Sequence, residues 1–363
     1  MGHSFQAKGL ALAVLTTIFV LKQQNVRSFR MRHYTVVKGM VSVTTDRPLS
    51  SSKLFAASSA AAAPSVGNAM IPLDQDPSTK PFNPGPTINL NKKGTAKMNL
   101  FGFYYGLVAC VMGIPWFIGL SIMQLVYRIF PKFDQTRKIP IFIGNIYGHV
   151  LLFLTRMYPT VTGRENLASV LGKDKEKKPR ACMFVANHCS WVDIPFLACG
   201  VIGMRNYKMV SKSELLKIPV LSKSLKVADH VVLDRSDRKS QLQTYKKGVS
   251  YLKNNVHLVT FAEGTRSRDG RLQPFKKGAF KMAQATGSPI VPVSIKYANL
   301  VNPVDFAWPM RSASSVPAGV VIGKPIETEG KDDDQLLLEV RQAIIDNLPE
   351  SQRPRSGTPD TAA

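Results

Sequence analysis

Acidic residues are scarce in this 363-residue chain: 24 Asp and Glu stand against 48 Lys and Arg, a formal net charge of +24. Such an imbalance favours polyanionic partners, among them nucleic acid, an anionic membrane surface or a phosphorylated substrate. Half of the excess lies between Arg205 and Lys281, where 18 basic residues face 6 acidic ones. The plainer reading of that stretch is a solvated basic face. Cysteine is also sparse, with Cys110, Cys182, Cys189 and Cys199 and no C-x-x-C pair. That excludes a disulfide framework and a structural zinc site, leaving reduced, mostly buried thiols and no metal. No zinc finger, RNP-type aromatic strand or helix-turn-helix is visible, so nucleic acid is not an expected partner. There are no internal repeats.

Charge disappears altogether between Met98 and Tyr127, in MNLFGFYYGLVACVMGIPWFIGLSIMQLVY. Thirty such residues suffice to cross a bilayer, or to enter and return, since Gly113 and Pro115 sit mid-run and can break a helix. Arg128, Lys132, Arg137 and Lys138 follow, a basic flank suited to anionic headgroups. A weaker apolar stretch runs over residues 139–158, so 98–158 is expected to be a membrane-embedded helical segment, with a pair of core helices as the alternative. Upstream, residues 1–70 carry eight basic residues and one acid, Asp46, with many Ser and Ala. The run LALAVLTTIFVL (10–21) has the length of a signal-peptide core, and the acid-poor stretch after it looks like a transit peptide. A two-part presequence of this kind implies the plastid envelope, with an endoplasmic reticulum membrane as the alternative. The prolines of residues 71–97 suggest a linker.

From residue 159 to about 348 the pattern changes to short β-branched runs alternating with longer amphipathic stretches. Strands are expected at 182–186, 207–211, 230–234, 257–262, 290–295 and 319–323, and helices at 194–203, 213–216, 238–253, 276–286 and 333–347. The alternation predicts an α/β domain with a mixed, mostly parallel sheet flanked by helices. Pro292 sits inside one expected strand, which suggests an edge, a bulge or a ligand-facing irregularity. The polar tail, 349–363, is expected to be disordered.

Chemistry-bearing residues collect at the ends of the expected strands. In VANHCSWVDIPF, residues 185–196, His188 follows a strand and Asp193 opens a helix. Asp193 can turn back to the imidazole, fix its tautomer and leave the other nitrogen to take a proton. The plainer alternative makes Asp193 a helix N-cap and His188 a satisfied loop residue. In VTFAEGTRSRDGRLQPFKKGA, 259–279, Gly264 permits a sharp turn, Thr265 offers a hydroxyl and Arg266 can grip a phosphate with two hydrogen bonds. Glu263 there can orient Arg266 or accept from a substrate hydroxyl. Lys212 and Arg235 follow two other strands and can be aimed at the same pocket mouth. Cys189 beside His188 raises thiol catalysis as a rival.

Taken in order, NHCSWVD, SKSELLKIP with VVLDRSD, FAEGTRS and IVPVSI resemble the four-block signature of the glycerolipid acyltransferases. Among them the chain is most similar to the 1-acyl-sn-glycerol-3-phosphate (lysophosphatidic acid) acyltransferases, over residues 98–325. The resemblance implies a glycerol-3-phosphate acyltransferase-like fold and a general base, His188, oriented by Asp193. It places Lys212, Arg235, Glu263, Gly264, Thr265 and Arg266 around the acceptor's phosphate. It also implies lysophosphatidic acid and an acyl-CoA or acyl carrier protein thioester as substrates, both lipids arriving from the membrane, with no further cofactor. A sister activity on glycerol-3-phosphate or another lysophospholipid remains open, as does non-catalytic binding of anionic lipid. Ala262 stands where the family usually has proline, and Ser222 and Ala228 where it commonly has glycine. These changes bear on pocket shape and acyl-chain preference.

Overall fold

The computed structural model describes residues 76–362, apart from residues 81, 93, 95 and 173–179; the presequence expected over residues 1–70 lies outside them. The expected linker contributes a small antiparallel pair, β1 (Thr87–Asn89) and β2 (Lys97–Asn99). Asp76 is fully buried and accepts from Ser351 Oγ at 2.6 Å, and Lys97 pairs with Asp305 at 3.0 Å. Asp76 and Lys97 of the expected linker are therefore tied to the domain.

The uncharged run forms one helix, α1 (Leu100–Ile129). Asn99 starts it: the side-chain oxygen accepts from Gly102 N–H at 2.9 Å and the amide donates to the Met310 carbonyl at 2.8 Å. Pro115 removes one ladder bond, yet the helix runs through it, so of the two forms the run allowed, the unbroken one is found. At 1.5 Å per residue its 30 residues span about 45 Å, more than a bilayer's hydrocarbon core. By length and composition α1 can cross a membrane. A second helix, α2 (Lys138–Leu154), folds back along it. Contacts run in reverse order, from Tyr127 with Asp134, through Trp116 stacked on Tyr147, to Tyr104 donating to the Leu154 carbonyl. The hairpin leaves Leu100, Phe103, Leu107, Val111, Ile114 and Phe153 exposed.

Seven more strands follow: β3 (Thr160–Thr162), β4 (Met183–Ala186), β5 (Tyr207–Lys212), β6 (Val231–Leu233), β7 (His257–Phe261), β8 (Ile290–Lys296) and β9 (Gly319–Ile322). They form one sheet in the order β3-β9-β8-β4-β7-β5-β6. Every neighbouring pair is parallel except β8 with β9. Strand β4, buried at all four residues, shows how the period of two sorts the core. Phe184 and Ala186 join the cluster with Phe196, Leu197, Ile202 and Leu152, while Met183 and Val185 join Phe275, Phe280, Leu336 and Ile344. One face is thus covered by α2 and the helical segment Asp193–Ile202. The other is covered by α5 (Gly278–Gln284) and α6 (Asp333–Ile345), once α3 (Pro219–Val227) and α4 (Arg238–Lys253) are counted in chain order. Asp237 caps α4 and Asp332 caps α6 through their amides.

Pro292 lies on β8, an inner strand, opposite Val185. Between the pairs Ile290↔Ile326 and Val293↔Ile322 the outer side carries one residue more than β8 does, so the irregularity is a bulge. The tail is also laid down on the domain: Leu272 N–H donates to the Gln352 carbonyl at 2.9 Å and Phe275 N–H to the Asp360 carbonyl at 2.8 Å. The disorder expected after residue 349 is replaced by backbone pairing.

Candidate active site

Strands β4, β7, β5 and β6 are neighbours and run the same way, so their C-terminal ends open along one edge, where α/β sheets commonly take ligands. Register decides which residues meet there. Ala186 pairs with Phe261, so His188 and Glu263, two residues beyond, emerge side by side. Asn187 clamps the end of β4 by exchanging two hydrogen bonds with Ile295, at 2.7 and 2.9 Å. His188 then turns off the sheet and stacks on Phe261, ring centres 4.0 Å apart and 14° from parallel.

Asp193 is fully buried, and its Oδ2 lies 2.8 Å from His188 Nδ1. The same oxygen accepts from Cys189 N–H and Ser190 N–H, both at 2.8 Å. An oxygen already accepting two N–H bonds is an acceptor here too, which puts the ring proton on Nδ1 and leaves Nε2 free. Because the carboxylate faces back toward the loop and takes no amide of the following helix, the N-cap alternative does not describe it.

His188 lies on the wall of a cavity of about 510 Å³. Lys212 from the end of β5, Arg235 after β6, Arg266 after β7 and Lys276 line it, against one lining acid, Glu214. Apolar side chains, among them Met209, Leu215, Leu233, Val259 and Met282, form the rest. Burial holds Arg235 and Arg266 below the ordinary arginine range. Burial, and then the charge of Arg235, depress Lys212, with Arg266 and Lys276 adding to it. Converging like charges are a standing demand for an anion. Arg235 Nε and Arg266 Nη1 are buried with no hydrogen-bond partner among the described residues. Arg266 is held over Trp191, its guanidinium 4.8 Å from the ring centre. Arg235 donates to the Gly264 carbonyl. Gly264 has φ +77°, which favours glycine, and a Cβ there would come within 2.5 Å of the Arg235 guanidinium and displace it. Thr265 is exposed on the cavity's lining.

Two expectations read differently in three dimensions. Glu263 is 4% exposed and is absent from the cavity wall; its oxygens accept from His188 N–H at 2.6 Å and Gln273 N–H at 3.0 Å. Both oxygens hold backbone N–H groups, and among the described residues no hydrogen bond or ion pair joins Glu263 to Arg266. Ser222 and Ala228 are likewise not lining residues, whereas Ala262 is. Cys189 is 1% exposed, off the cavity wall, and burial with the charges of Asp193 and Glu263 holds its thiol far above the usual range. That removes the thiolate a nucleophile needs. Trp191, Phe261 and Glu214 escaped the sequence reading. Trp191 stood inside the histidine block, whereas only the pairing of Ala186 with Phe261 brings Phe261 beside His188. Among the described residues no group of three or more His, Cys, Asp or Glu is placed to hold a metal ion.

Comparison with known proteins gives the family. Residues 159–296 match the acyltransferase family model. The chain is 31% identical to the chloroplastic 1-acyl-sn-glycerol-3-phosphate acyltransferase of Brassica napus, over 73% of this chain and 70% of that one. It is 31% identical to the 1-acyl-sn-glycerol-3-phosphate acyltransferase of Limnanthes douglasii, over 60% of this chain and 74% of the other. Among solved structures, it resembles the 1-acyl-sn-glycerophosphate acyltransferase PlsC of Thermotoga maritima, with a TM-score of 0.46 and 25% identity over 65% of this chain and 94% of that one. With two relatives aligned across more than two thirds of their length, the chain belongs to the 1-acyl-sn-glycerol-3-phosphate acyltransferase family and is an acyltransferase.

Proposed function

We propose that this enzyme acylates the sn-2 hydroxyl of 1-acyl-sn-glycerol-3-phosphate, giving phosphatidic acid, with His188 as general base and Asp193 as its orienting partner. The observation that carries the reading is the His188–Asp193 contact, 2.8 Å long, on the wall of a cavity lined by four cations. The acceptor's phosphate takes the unpartnered nitrogens of Arg266 and Arg235, with Lys212 and Lys276 adding charge. His188 Nε2 receives the hydroxyl proton as the oxygen attacks the thioester carbonyl carbon. The new C–O bond forms, the C–S bond breaks, and the proton passes from the imidazolium to the departing thiolate. No acyl-enzyme and no further cofactor enter the scheme. The donor is the thioester of acyl-CoA or acyl carrier protein. The exposed apolar residues of α1 and α2 sit in a membrane, from which both lipids enter, and the chloroplastic relative supports a plastid envelope over the endoplasmic reticulum.

Membranes carrying wild type or His188→Ala are given labelled oleoyl-CoA or oleoyl acyl carrier protein, with either lysophosphatidic acid or glycerol-3-phosphate. Wild type is expected to make phosphatidic acid from lysophosphatidic acid alone, and His188→Ala to be slower by about 100-fold or more. Equal product from the variant overturns the histidine's role. Product from glycerol-3-phosphate alone moves the enzyme to the sister reaction. Lipid binding without turnover makes it an anionic-lipid binder.

A further inference from the structure

Between the end of β5 and helix α3 the chain makes a turn that the acyl-transfer scheme leaves unused. Lys212, Glu214 and Leu215 are on the cavity wall, and the chain then leaves it as Lys217, Ile218, Pro219 and Val220, all exposed. Ile218 is 44% exposed and Val220 37%. The backbone that presents them is fixed. Ile218 N–H donates to the Leu215 carbonyl at 3.2 Å, and Ser222 N–H returns to the Ile218 carbonyl at 2.7 Å. Pro219 opens α3 and has no N–H to satisfy. A single exposed aliphatic side chain is ordinary, but a rigid apolar tip continuous with a larger apolar face marks a contact surface.

That larger face is on α1, and α3 lies against it. Lys223 Nζ donates to Ser121 Oγ at 2.5 Å and sits 4.1 Å from the Phe117 ring centre. Val227 joins the buried cluster of Leu120, Met123, Val126 and Tyr127. The exposed residues Leu100, Phe103, Leu107, Val111, Ile114 and Ile118 recur every three or four positions along α1, so they form one stripe. Phe117, itself exposed, stands between the last two of them. Val220 and Ile218 precede Lys223 by three and five residues, about 4.5 and 7.5 Å along the helix axis, so the tip extends the stripe toward the cavity wall. Residues 215–228 hold no acid and three bases, Lys217, Lys223 and Lys226.

We propose that residues 217–220 are a second membrane contact, separate from the α1–α2 hairpin. Ile218 and Val220 enter the headgroup–acyl boundary of an anionic bilayer, and Lys217 and Lys226 face the lipid phosphates. The inference rests on the reading that the exposed residues of α1 and α2 sit in a membrane. Apolar side chains alone would suit a protein groove equally well. The three lysines, the missing acids and the continuity with the α1 stripe select a lipid surface carrying negative charge. With the tip in the leaflet, Lys212, Glu214 and Leu215 are three to six residues from it along the chain, and they already line the cavity. Lysophosphatidic acid then passes from the bilayer to the cations without crossing open water.

The test uses the full chain reconstituted in vesicles of phosphatidylglycerol and phosphatidylcholine. Cys110 is exposed while Cys182, Cys189 and Cys199 are buried, so a Cys110→Ala background accepts one polarity-sensitive label at a chosen site. The label is placed by Val220→Cys on the tip, by Val111→Cys on the α1 stripe, or by Gln243→Cys on the exposed side of α4. Lipids with brominated acyl chains are expected to quench the labels at 220 and 111 and to spare the one at 243. Ile218→Gln with Val220→Gln should lower kcat/KM for vesicle-borne lysophosphatidic acid by about tenfold, with a short-chain, water-soluble lysophosphatidic acid used within about twofold of wild type. Turnover of the soluble substrate also shows that the variant is folded. Lys217→Gln with Lys226→Gln should cost activity in the mixed vesicles and none in pure phosphatidylcholine. Quenching at 111 without quenching at 220 overturns the proposal and leaves the hairpin in the membrane. Quenching at neither site brings down the membrane reading, and the proposal with it. Emission at 220 that follows protein concentration and ignores bromine gives the tip to a second copy of the chain and overturns the lipid contact. An equal loss on both substrates in the glutamine pair overturns it as well. A wild type inactive on lysophosphatidic acid removes the acyl-transfer reading instead, and the quenching then decides the tip by itself.

Discussion

The imidazole of His188 is positioned by contacts of different kinds. Asp193 holds Nδ1, Phe261 supports the ring face, and Glu263 fixes the backbone beneath it. Asp193→Asn replaces one acceptor oxygen with a donor group among three N–H partners, so kcat should fall by about 100-fold or more with little change in KM, as steady-state kinetics will show. Cys189→Ser should keep activity within a few-fold, because the thiol is buried away from the cavity. On the proposed function Arg266→Ala removes a charged donor to the acceptor phosphate, and kcat/KM for lysophosphatidic acid should drop by about 10- to 100-fold. Gly264→Ala forces a side chain into positive φ and onto Arg235. It should destabilise the fold by about 1–3 kcal/mol in denaturant titration and weaken acceptor binding as well.

At the scale of elements, short apolar runs bounded by polar turns revealed the six strands from β4 to β9, because a strand buried on both faces needs an unbroken apolar sequence. Strand β3 escaped: three residues, two of them threonine, have no run to show. Helix α3 escaped as well, because its nine residues are few, although Leu221 and Leu225 stand one turn apart in PVLSKSLKV. The α1–α2 hairpin is tied to the sheet by Lys208, a fully buried lysine on β5 whose Nζ donates to the Ala228 carbonyl at 2.7 Å and the Arg137 carbonyl at 3.4 Å. Burial brings its pKa down to about 7. The unfolded chain therefore holds this proton more tightly than the folded one, and stability rises with pH between about 7 and the ordinary lysine value near 10.4. Melting temperatures taken at pH 7 and pH 9 should differ in wild type, and less so in Lys208→Met.

For the whole molecule, the basic surplus and the apolar hairpin are complementary features. Four cations line the cavity and exposed apolar residues lie on α1 and α2, so under the proposed function one protein carries both the site for a phosphate and the means of staying beside the lipid that bears it. Replacing Phe103 and Ile114 together by Lys puts two charges on the exposed face of α1. It should shift the protein from vesicle-bound to free in a flotation assay with anionic liposomes, with the soluble domain still folded by circular dichroism.

By itself the sequence determined the alternation of strands and helices, the uncharged run, and the histidine, glycine and arginine motifs that declare an acyltransferase. These are legible because periodicity, charge and turn chemistry are local properties, written within a few residues of one another. What only the tertiary structure decided depends on residues far apart in the chain. Glu263 looked like a substrate ligand in FAEGTRS, but the register Ala186↔Phe261 sets it beside the His188 amide, and Gln273 takes its other oxygen. The tail SQRPRSGTPDTAA has the composition of disorder, yet its backbone finds free partners along 272–275 and Asp360 finds a buried arginine. Composition measures how much apolar surface a segment can bury on its own; it is blind to the hydrogen bonds and charges that another part of the fold holds out to it.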